Sequence, residues 1–215
     1  MALMIRPISN RSLYILCVLL FFGSSELLSQ RKPRIRGNRK VTEVSESLPP
    51  FRHIALQDNL EGRLDPSGTE GYQPRADENL VDILRFEVRD STLYIGSFYR
   101  ITGSKSLEIT VSFSELRRVV ATAGHLYNTA PFQSEVLDLL ASEDARLSLE
   151  YRAGLSQVTL EGNSRATLRA EADSLSVDMR ERSDAFIYTV NQGMQLYLRE
   201  QSGLDLEGIS VQAAF

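Results

Sequence analysis

Residues 137–208 repeat one short pattern, clearest in Val158-Thr-Leu-Glu-Gly-Asn-Ser-Arg-Ala-Thr-Leu168 and Val177-Asp-Met-Arg-Glu-Arg-Ser-Asp-Ala-Phe-Ile187. Further copies begin at Leu137 and Leu196, which aligns Leu137 with Val158 and Val177 with Leu196. Each copy has an apolar residue at its start, and apolar or small residues stand two, eight and ten positions later. A regular period of this kind predicts structural units that stack on one another.

The even spacing within each copy predicts β-structure, because the side chains of a strand alternate between two faces. A helix would place its apolar residues three and four positions apart. We predict two short strands per copy, joined by a turn near Gly162 and its equivalents. Such a pair is marginal in water unless copies stack and bury their apolar rows together. The sequence therefore predicts an all-β chain built as a β-solenoid of ~20-residue coils, and an antiparallel β-sandwich is the alternative.

The residues between the apolar positions are mostly polar, which predicts a solvent-facing surface. Asp144, Arg165 and Asp184 occupy the same position in successive copies, so stacking would place them in a ladder of alternating charge. Exposed pairs of this kind contribute only about 0.2–1 kcal/mol each, so they specify register more than they stabilise. A solvated charged face is a simpler interpretation of this row than a binding site.

Residues 1–29 have the features of an export signal peptide. Arg6 and Arg11 precede an apolar run of ten residues at positions 13–22, and small residues follow. Ten apolar residues suit a signal peptide and are too few for a bilayer span, which needs about 20. Cys17 is the only cysteine and follows Leu16 rather than a small residue, so we expect no lipid attachment. We predict export to the periplasm, the outer surface or the medium, without a transmembrane span or disulfide in the mature chain.

Residues 30–50 are predicted to form a disordered basic arm and linker ahead of a folded domain at residues 51–215. Without residues 1–40 the chain has 16 basic and 27 acidic residues, a net charge of −11. A basic arm on an acidic body can contact envelope polysaccharide or another anionic surface, and a solvated tail without a partner is the alternative. No nucleic-acid fold motif occurs, so nucleic acid is not an expected partner. The candidate polyanion contacts are Arg31, Lys32, Arg34, Arg36, Arg39 and Lys40.

The part of the domain before residue 137 is predicted to consist of short strands. Residues 65–76 are rich in glycine and proline and are predicted as a loop, whereas Asp90-Ser91 is predicted as the turn of a hairpin or of a tight corner. From Val119 to Tyr127, apolar or small residues continue to recur at every second position, which predicts a further, weaker coil with His125 facing the core.

Several of these segments resemble the putative auto-transporter adhesin head GIN domain family. The resemblance lies in Phe51-x-x-Ile54, Asn79-Leu80, the Asp-Ser-Thr-Leu-Tyr-Ile segment at 90–95, the strand and corner at 109–116, and the serine-bearing coils. The family usually has Ser-Gly in every coil, which occurs here only at Ser202-Gly203, and usually has proline where Ser114 stands. The resemblance implies a secreted, right-handed, single-strand β-helix with an adhesion role. It implies no catalytic residues.

A polysaccharide-active β-helix enzyme, a lyase or hydrolase, is the alternative function. Acid–base catalysis would need two carboxylates that converge in a cleft, and Asp138, Glu161 and Asp178 are the candidates on the polar face. Their regular spacing beside arginines favours structural charge pairing instead. No Ser-His-Asp spacing, phosphate-binding glycine loop or histidine-rich metal motif occurs. The sequence therefore favours a binding or structural module without catalytic residues, metal or cofactor.

The signal-peptide interpretation predicts that the exported protein begins between Gly23 and Gln30. Mass spectrometry of the exported chain measures this directly. A product that retains Met1, or one that carries an acylated Cys17, would contradict the prediction.

Overall fold

The computed structural model describes residues 32–198, 202–209 and 213–214. The predicted signal peptide and Arg31 lie outside the described residues. The described residues are almost entirely β-structure, with one short helix. In chain order the elements are β1 Arg34–Ile35, β2 Val41–Glu43, β3 Glu46–Ser47, β4 His53–Leu56, β5 Glu61–Asp65, β6 Gly71–Asp77, α1 Glu78–Val81, β7 Leu84–Arg89, β8 Thr92–Ser97, β9 Arg100–Ile101, β10 Leu107–Ser112, β11 Arg118–Ala121, β12 His125–Asn128, β13 Phe132–Ala141, β14 Arg146–Leu160, β15 Arg165–Met179, β16 Asp184–Leu198, β17 Gly203–Ile209 and β18 Ala213–Ala214.

The longest strands, β14, β15 and β16, have 15 residues each and run parallel and in register. The first residue of each strand lies opposite the first residue of the next, so the three strands lie side by side without an offset. β17 continues this ladder on β16. Opposite residues in register carry their side chains to the same face. Leu149, Leu168 and Ile187 thus form one buried column, each no more than 2% exposed.

The alternation of buried and exposed side chains breaks at the centre of β14 and of β15. β14 pairs with β12 near its start and with β13 along its second half. At its centre Gly154 and Leu155 are both exposed, so the alternation of buried and exposed residues changes phase. Asp173 and Ser174 mark the same break in β15. The all-β prediction is confirmed in this coarser form: the strands build an open, curled sheet around the apolar columns. The parallel ladder of β13–β17 is not the ladder of an antiparallel β-sandwich.

The alignment predicted for the first repeat is wrong. Val158 lies opposite Leu139, not Leu137, so the displacement from β13 to β14 equals the displacement between the later strands. A shift of two residues leaves every side chain on its own face, and the apolar pattern looks the same in either register.

The predicted ladder of alternating charge is wrong at its first pair, for the same reason. Arg165 lies opposite Arg146 rather than Asp144. The continuation from Arg165 to Asp184 is confirmed, with 3.6 Å between Nε and a carboxylate oxygen. The row at this position therefore places two arginines side by side before it reaches a carboxylate.

Stacked turns connect the long strands. Glu143, Gly162 and Glu181 occupy equivalent positions in successive turns, and all have positive φ, at 53°, 72° and 60°. Backbone hydrogen bonds join these turns: Asn163 N donates to Glu143 O at 2.7 Å, and Arg182 N donates to Gly162 O at 3.0 Å. The predicted turn at Gly162 is confirmed. Glycine suits this position because a Cβ there would approach Glu143 N to 2.8 Å.

The prediction that His125 faces the core is wrong. Gly124 adopts a left-handed conformation with φ 78°, and the alternation shifts by one residue after it. Leu126 is completely buried, whereas His125 lies on the outer face with its side chain 31% exposed. A single positive-φ residue thus exchanges the two faces of the following strand.

The N-terminal part combines antiparallel and parallel strands: β6 pairs antiparallel with β2, β3 and β10, whereas β4 pairs in parallel with β8 and β11. β7 and β8 form the predicted hairpin, whose turn residues Asp90 and Ser91 have φ of 49° and 58°, as two-residue hairpin turns require. The loop predicted at residues 65–76 is confirmed only at residues 66–70, because β5 extends to Asp65 and β6 begins at Gly71, where it pairs with β2, β3 and β10. Pro74 has no N–H, but its carbonyl accepts a hydrogen bond from Val44 N at 3.2 Å.

The structure also differs from the predicted disordered arm, because three short strands occur between residues 34 and 47. β1 pairs in parallel with β9, and Ile35 lies opposite Ile101. Both isoleucines pack against a small core of Ala76, Leu80 and Ile83. This apolar contact, together with β-pairing, holds a segment whose charge alone predicted disorder.

The carboxylate of Asp77 holds the backbone of the basic segment at Arg39. It is completely buried and accepts hydrogen bonds from the backbone N–H groups of Arg39, Lys105 and Ser106 at 3.1–3.3 Å. Burial acts to raise the pKa of Asp77, but these bonds and the Lys105 charge outweigh it, so the pKa lies below its usual value. A Cβ at Gly37 would lie 1.9 Å from Asp77 Oδ2, so this turn needs glycine.

The register predicts that Ile187→Asp unfolds much of the domain, because it buries an unpaired carboxylate at a cost of several kcal/mol. Thr167→Asp is the matched control, since Thr167 is exposed on the neighbouring strand and the substitution should change stability by less than about 1 kcal/mol. Thermal unfolding of the two variants measures the difference. Equal shifts in Tm would show that the assignment of faces is wrong.

The hydrogen bonds of Asp77 predict that Asp77→Asn lowers Tm clearly more than Asp82→Asn, whose side chain is exposed on α1's C-terminal side. Since the pKa of Asp77 is lowered in the folded state, its stabilising effect is present above the unfolded pKa and is lost as pH falls through the folded pKa. The stability difference between wild type and Asp77→Asn should therefore shrink at acidic pH below about 4. A difference that is constant from neutral to strongly acidic pH would contradict this role.

Candidate functional site

The predicted polyanion contacts that the structure describes have exposed side chains: Lys32, Arg34, Arg36, Arg39 and Lys40. β1 holds the backbone at the first of these arginines against β9, through Arg100 N to Pro33 O at 2.8 Å and Thr102 N to Ile35 O at 2.9 Å. Gly37 N donates to Gly103 O at 2.8 Å and extends the contact. The arginines of this segment are therefore attached to a fixed backbone.

Asn79 and Asp77 fix the second part of the segment. The Asn79 side-chain amide donates to Arg36 O at 3.0 Å, and its carbonyl oxygen accepts from Asn38 N at 2.8 Å. Glu78 N donates to Lys40 O at 2.7 Å. Three consecutive residues at the start of α1 thus hold the turn that presents Arg39 and Lys40.

β9 adds an arginine that the sequence analysis missed. Arg34 lies opposite Arg100 in the parallel pair, and both side chains are exposed. Like charges on neighbouring strands repel each other, which is unfavourable unless an anion lies between them. Lys105 lies close by and is exposed, but its charge is directed partly to the carboxylate of Asp77.

Two exposed aromatic residues precede Arg100. Phe98 is 56% exposed and Tyr99 is 37% exposed, which makes them the most exposed aromatic rings together with Phe186 among the residues whose side chains the structure describes. Phe98 N donates to Ile83 O at 2.9 Å, so the backbone of this loop is held next to the end of α1. We call the combined region the basic–aromatic surface. It consists of Arg34, Arg36, Arg39, Lys40, Phe98, Tyr99 and Arg100.

Within the described part of the chain, no salt bridge joins any of the five basic–aromatic surface cations to a carboxylate. The exposed carboxylate of Glu78 is nearby, but it contacts the Asn38 amide at 3.5 Å. The surface therefore presents uncompensated positive charge on a chain whose body is strongly acidic.

Sequence reasoning found the cations before residue 41 because they form a dense run. It missed Phe98-Tyr99-Arg100 because these residues are separated from that run by about sixty positions, and only the pairing of β1 with β9 brings them together. The sequence did contain a usable indication: two adjacent aromatic residues followed by arginine, at a position outside the alternating apolar pattern of the strands. Such exposed aromatics are unusual enough to indicate a contact surface.

The carboxylates considered for catalysis are held in ion pairs. Asp138 lies 3.3 Å from Arg118, and Arg180 contacts Asp178 at 2.7 Å and Glu161 at 3.2 Å. The Asp178 and Glu161 carboxylates raise the pKa of Arg180, and its hydrogen bond to Asp178 is the largest contribution. Each candidate carboxylate thus contacts an arginine, as structural charge pairing predicts.

His125 lies in a different polar cluster on the outer face. Its Nε2 is 2.9 Å from Ser148 Oγ, and its Nδ1 is 3.8 Å from a carboxylate oxygen of Glu61. The ring also stacks on Tyr127, with 5.3 Å between centroids. Among residues 32–198, 202–209 and 213–214, no group of three histidine, cysteine or acidic side chains is arranged to hold a metal ion.

No helix within the described part of the chain is long and apolar enough to cross a membrane. The only helix there is α1, which has four residues.

Solved structures with similar folds include two proteins from Parabacteroides distasonis and one from Bacteroides fragilis. A putative adhesin from Parabacteroides distasonis has a TM-score of 0.58 and 14% identity, with 81% of this chain and 82% of that chain covered. A putative lipid binding protein from the same organism has a TM-score of 0.50 and 13% identity, with coverage of 85% and 100%. A putative adhesin from Bacteroides fragilis has a TM-score of 0.49 and 16% identity, with coverage of 84% and 100%. At these identities the likeness concerns the fold.

No curated protein matches the sequence. The sequence profile of one family does, over residues 50–193, which is about two thirds of the chain and includes β4 to most of β16. The matched region begins after the basic segment, so the family pattern describes the sheet and not the cations of β1. The chain belongs to the family described as putative auto-transporter adhesin, head GIN domain.

Proposed function

We propose that this protein is an exported, adhesin-like binding module that attaches to anionic groups of the cell envelope or of an external surface. The observation that carries the proposal is the basic–aromatic surface, where five exposed cations, none of them in a salt bridge among the described residues, occur together with the exposed rings of Phe98 and Tyr99. Membership of an adhesin family is consistent with a surface or extracellular location. The export signal at residues 1–29 is part of this proposal.

The chemistry of the basic–aromatic surface suits a lipid headgroup layer better than an isolated anion. Each basic residue near an anionic membrane contributes about 1 kcal/mol, so five cations provide weak but useful attraction. Aromatic rings with an apolar body are favoured at the boundary between headgroups and acyl chains. Phe98 and Tyr99 would therefore add a contribution that salt does not screen. A neighbour in fold is described as a lipid binding protein, which is in keeping with this choice.

We infer in addition that the curled sheet is a right-handed β-solenoid with coils of about 20 residues. Val119 lies opposite Leu139 and Leu139 lies opposite Val158, so the chain returns to the same lateral position once in each coil. Parallel neighbours connected in this way are right-handed in nearly all proteins. Such a scaffold would leave long lateral faces free and would hold the basic–aromatic surface near the N-terminal end of the stack.

The proposed attachment predicts that Arg34→Gln/Arg100→Gln weakens binding to phosphatidylglycerol vesicles by about 30-fold, since two cations contribute about 2 kcal/mol. Co-sedimentation of the exported chain with vesicles measures this. Raising the salt from about 0.1 M to about 1 M should release the wild type, because the Debye length falls from about 10 Å to about 3 Å. Removing residues before Val41 is a poorer test, because it would also remove β1 and the Arg39 N–H that donates to Asp77.

Arg165→Gln/Arg182→Gln is the matched control, because it removes two exposed arginines from a distant part of the surface. This variant should bind as the wild type does. Phe98→Ala/Tyr99→Ala should weaken binding to vesicles but leave binding to soluble dextran sulfate unchanged, if the rings enter the lipid boundary. Equal sedimentation of wild type, the Arg34/Arg100 variant and the control would refute the proposed function.

A further inference from the structure

A polar pocket is lined by residues of the large sheet and its turns, whereas β1 and β9 pair with each other in a separate two-stranded sheet. It has a volume of about 680 Å³, which is in the range that holds small ligands. Leu60 and Leu107 are among its apolar lining residues. Its polar lining consists of Asn59, Glu61, His125, Asp144 and Arg146.

The pocket is built on backbone that is already fixed. Three chain segments meet there, and hydrogen bonds join them: His125 N donates to Leu60 O at 2.8 Å, and Arg146 N donates to Gly124 O at 2.8 Å. Gly124 permits this close approach, because a Cβ there would lie 2.2 Å from Leu60 O. A ligand would therefore bind to a preformed site and would not have to order a loop.

Arg146 is the unusual residue of this pocket. Among the other arginines of β14 and β15, Arg152 pairs with Glu171 and Arg165 pairs with Asp184, whereas Arg169 lies over the ring of Tyr188. Arg146 is exposed and stands between His125 and Arg165 in the ladder. No salt bridge of Arg146 occurs within the described residues, although Asp144 and Glu61 line the same pocket. Its guanidinium is free to donate hydrogen bonds to a ligand.

We propose that this pocket binds a saccharide unit of a glycan chain. Carboxylate, amide and guanidinium groups offer paired acceptors and donors that match neighbouring hydroxyl groups of a sugar ring. The pocket has both signs of charge, so a polyhydroxylated ligand fits it better than a strongly charged one. His125 has its ring position fixed by Ser148 and Tyr127 and gives one wall a flat face. Glu61 has only the 3.8 Å contact to His125 among its ion-pair partners in the described chain, which leaves carboxylate lone pairs for hydroxyl donors.

This inference is independent of the attachment to anionic surfaces. A protein with both sites would hold an envelope surface with its basic–aromatic surface and a glycan with its lateral face. The two sites can therefore be removed separately.

The test is binding of the full exported chain to an array of immobilised neutral and acidic oligosaccharides, followed by titration of the best oligosaccharide. We expect Arg146→Ala and Glu61→Gln each to weaken binding at least about tenfold, equivalent to about 1.4 kcal/mol. Arg165→Ala is the control, because Arg165 is exposed and adjacent to Arg146 in the ladder but does not line the pocket. It should bind within about twofold of the wild type, as should Arg34→Gln/Arg100→Gln.

Absence of binding to every oligosaccharide would overturn the saccharide proposal and would leave the vesicle result untouched. Binding that Arg146→Ala and Glu61→Gln do not weaken would overturn the assignment to this pocket. Binding that is lost in Arg34→Gln/Arg100→Gln but not in Arg146→Ala would show that the glycan is held by the basic–aromatic surface instead. Circular dichroism of each variant excludes loss of fold as the cause.

Discussion

The parallel, in-register stacking of the repeated strands β13 to β17 is the constraint on which the rest of the structure depends. An isolated repeat has one row of small and apolar side chains and cannot bury it. In register, Leu149, Leu168 and Ile187 form one column and are almost completely buried. Burial of such side chains contributes about 1.5–3 kcal/mol each, which is large beside the exposed ion pairs of the ladder. The apolar columns therefore stabilise the stack, and the charges on the outer face are available for other roles.

The charges on the outer face are not paired to the same extent everywhere. Along much of the ladder, arginines and carboxylates pair across strands, as Arg152 does with Glu171 and Arg165 does with Asp184. Two regions depart from this rule. At β1 and β9, Arg34 lies opposite Arg100, and neither has a salt bridge among the described residues, whereas at the polar pocket Arg146 lies between His125 and Arg165. Unpaired like charges on a fixed backbone cost free energy without stabilising the fold, so these departures are where binding is expected. The buried Asp77 carboxylate keeps the first region in place, although it contributes no charge to the surface.

The sequence predicted the β-structure, the repeat and the faces of the copies that begin at Val158 and Val177, because alternation with a period of two determines which side chains are buried. It could not determine the register of the first copy, since Leu137 and Leu139 lie on the same face and either could begin the pattern. It placed His125 in the core because no periodic rule anticipates the left-handed Gly124. β6 was missed because it contains Gly71 and Pro74 and follows a loop with the same residue types, and β1 was missed because its pairing with β9 and its contact with the small core are both long-range. Of the basic–aromatic surface, the sequence predicted the local charge run, whereas Phe98, Tyr99 and Arg100 join it only through long-range pairing.

The parallel register is tested most directly by chemical cross-linking of cysteine pairs in a Cys17→Ser background. Glu150 and Arg169 are exposed and lie opposite each other in the parallel ladder, with about 5 Å between neighbouring strands. If β14 and β15 were instead the arms of an antiparallel hairpin around Gly162, Arg169 would face Leu155, which is also exposed. A short bifunctional thiol reagent should therefore link Glu150→Cys/Arg169→Cys efficiently and leave Leu155→Cys/Arg169→Cys unlinked. Efficient linking of the second pair and not the first would contradict the stacked arrangement on which both binding sites depend.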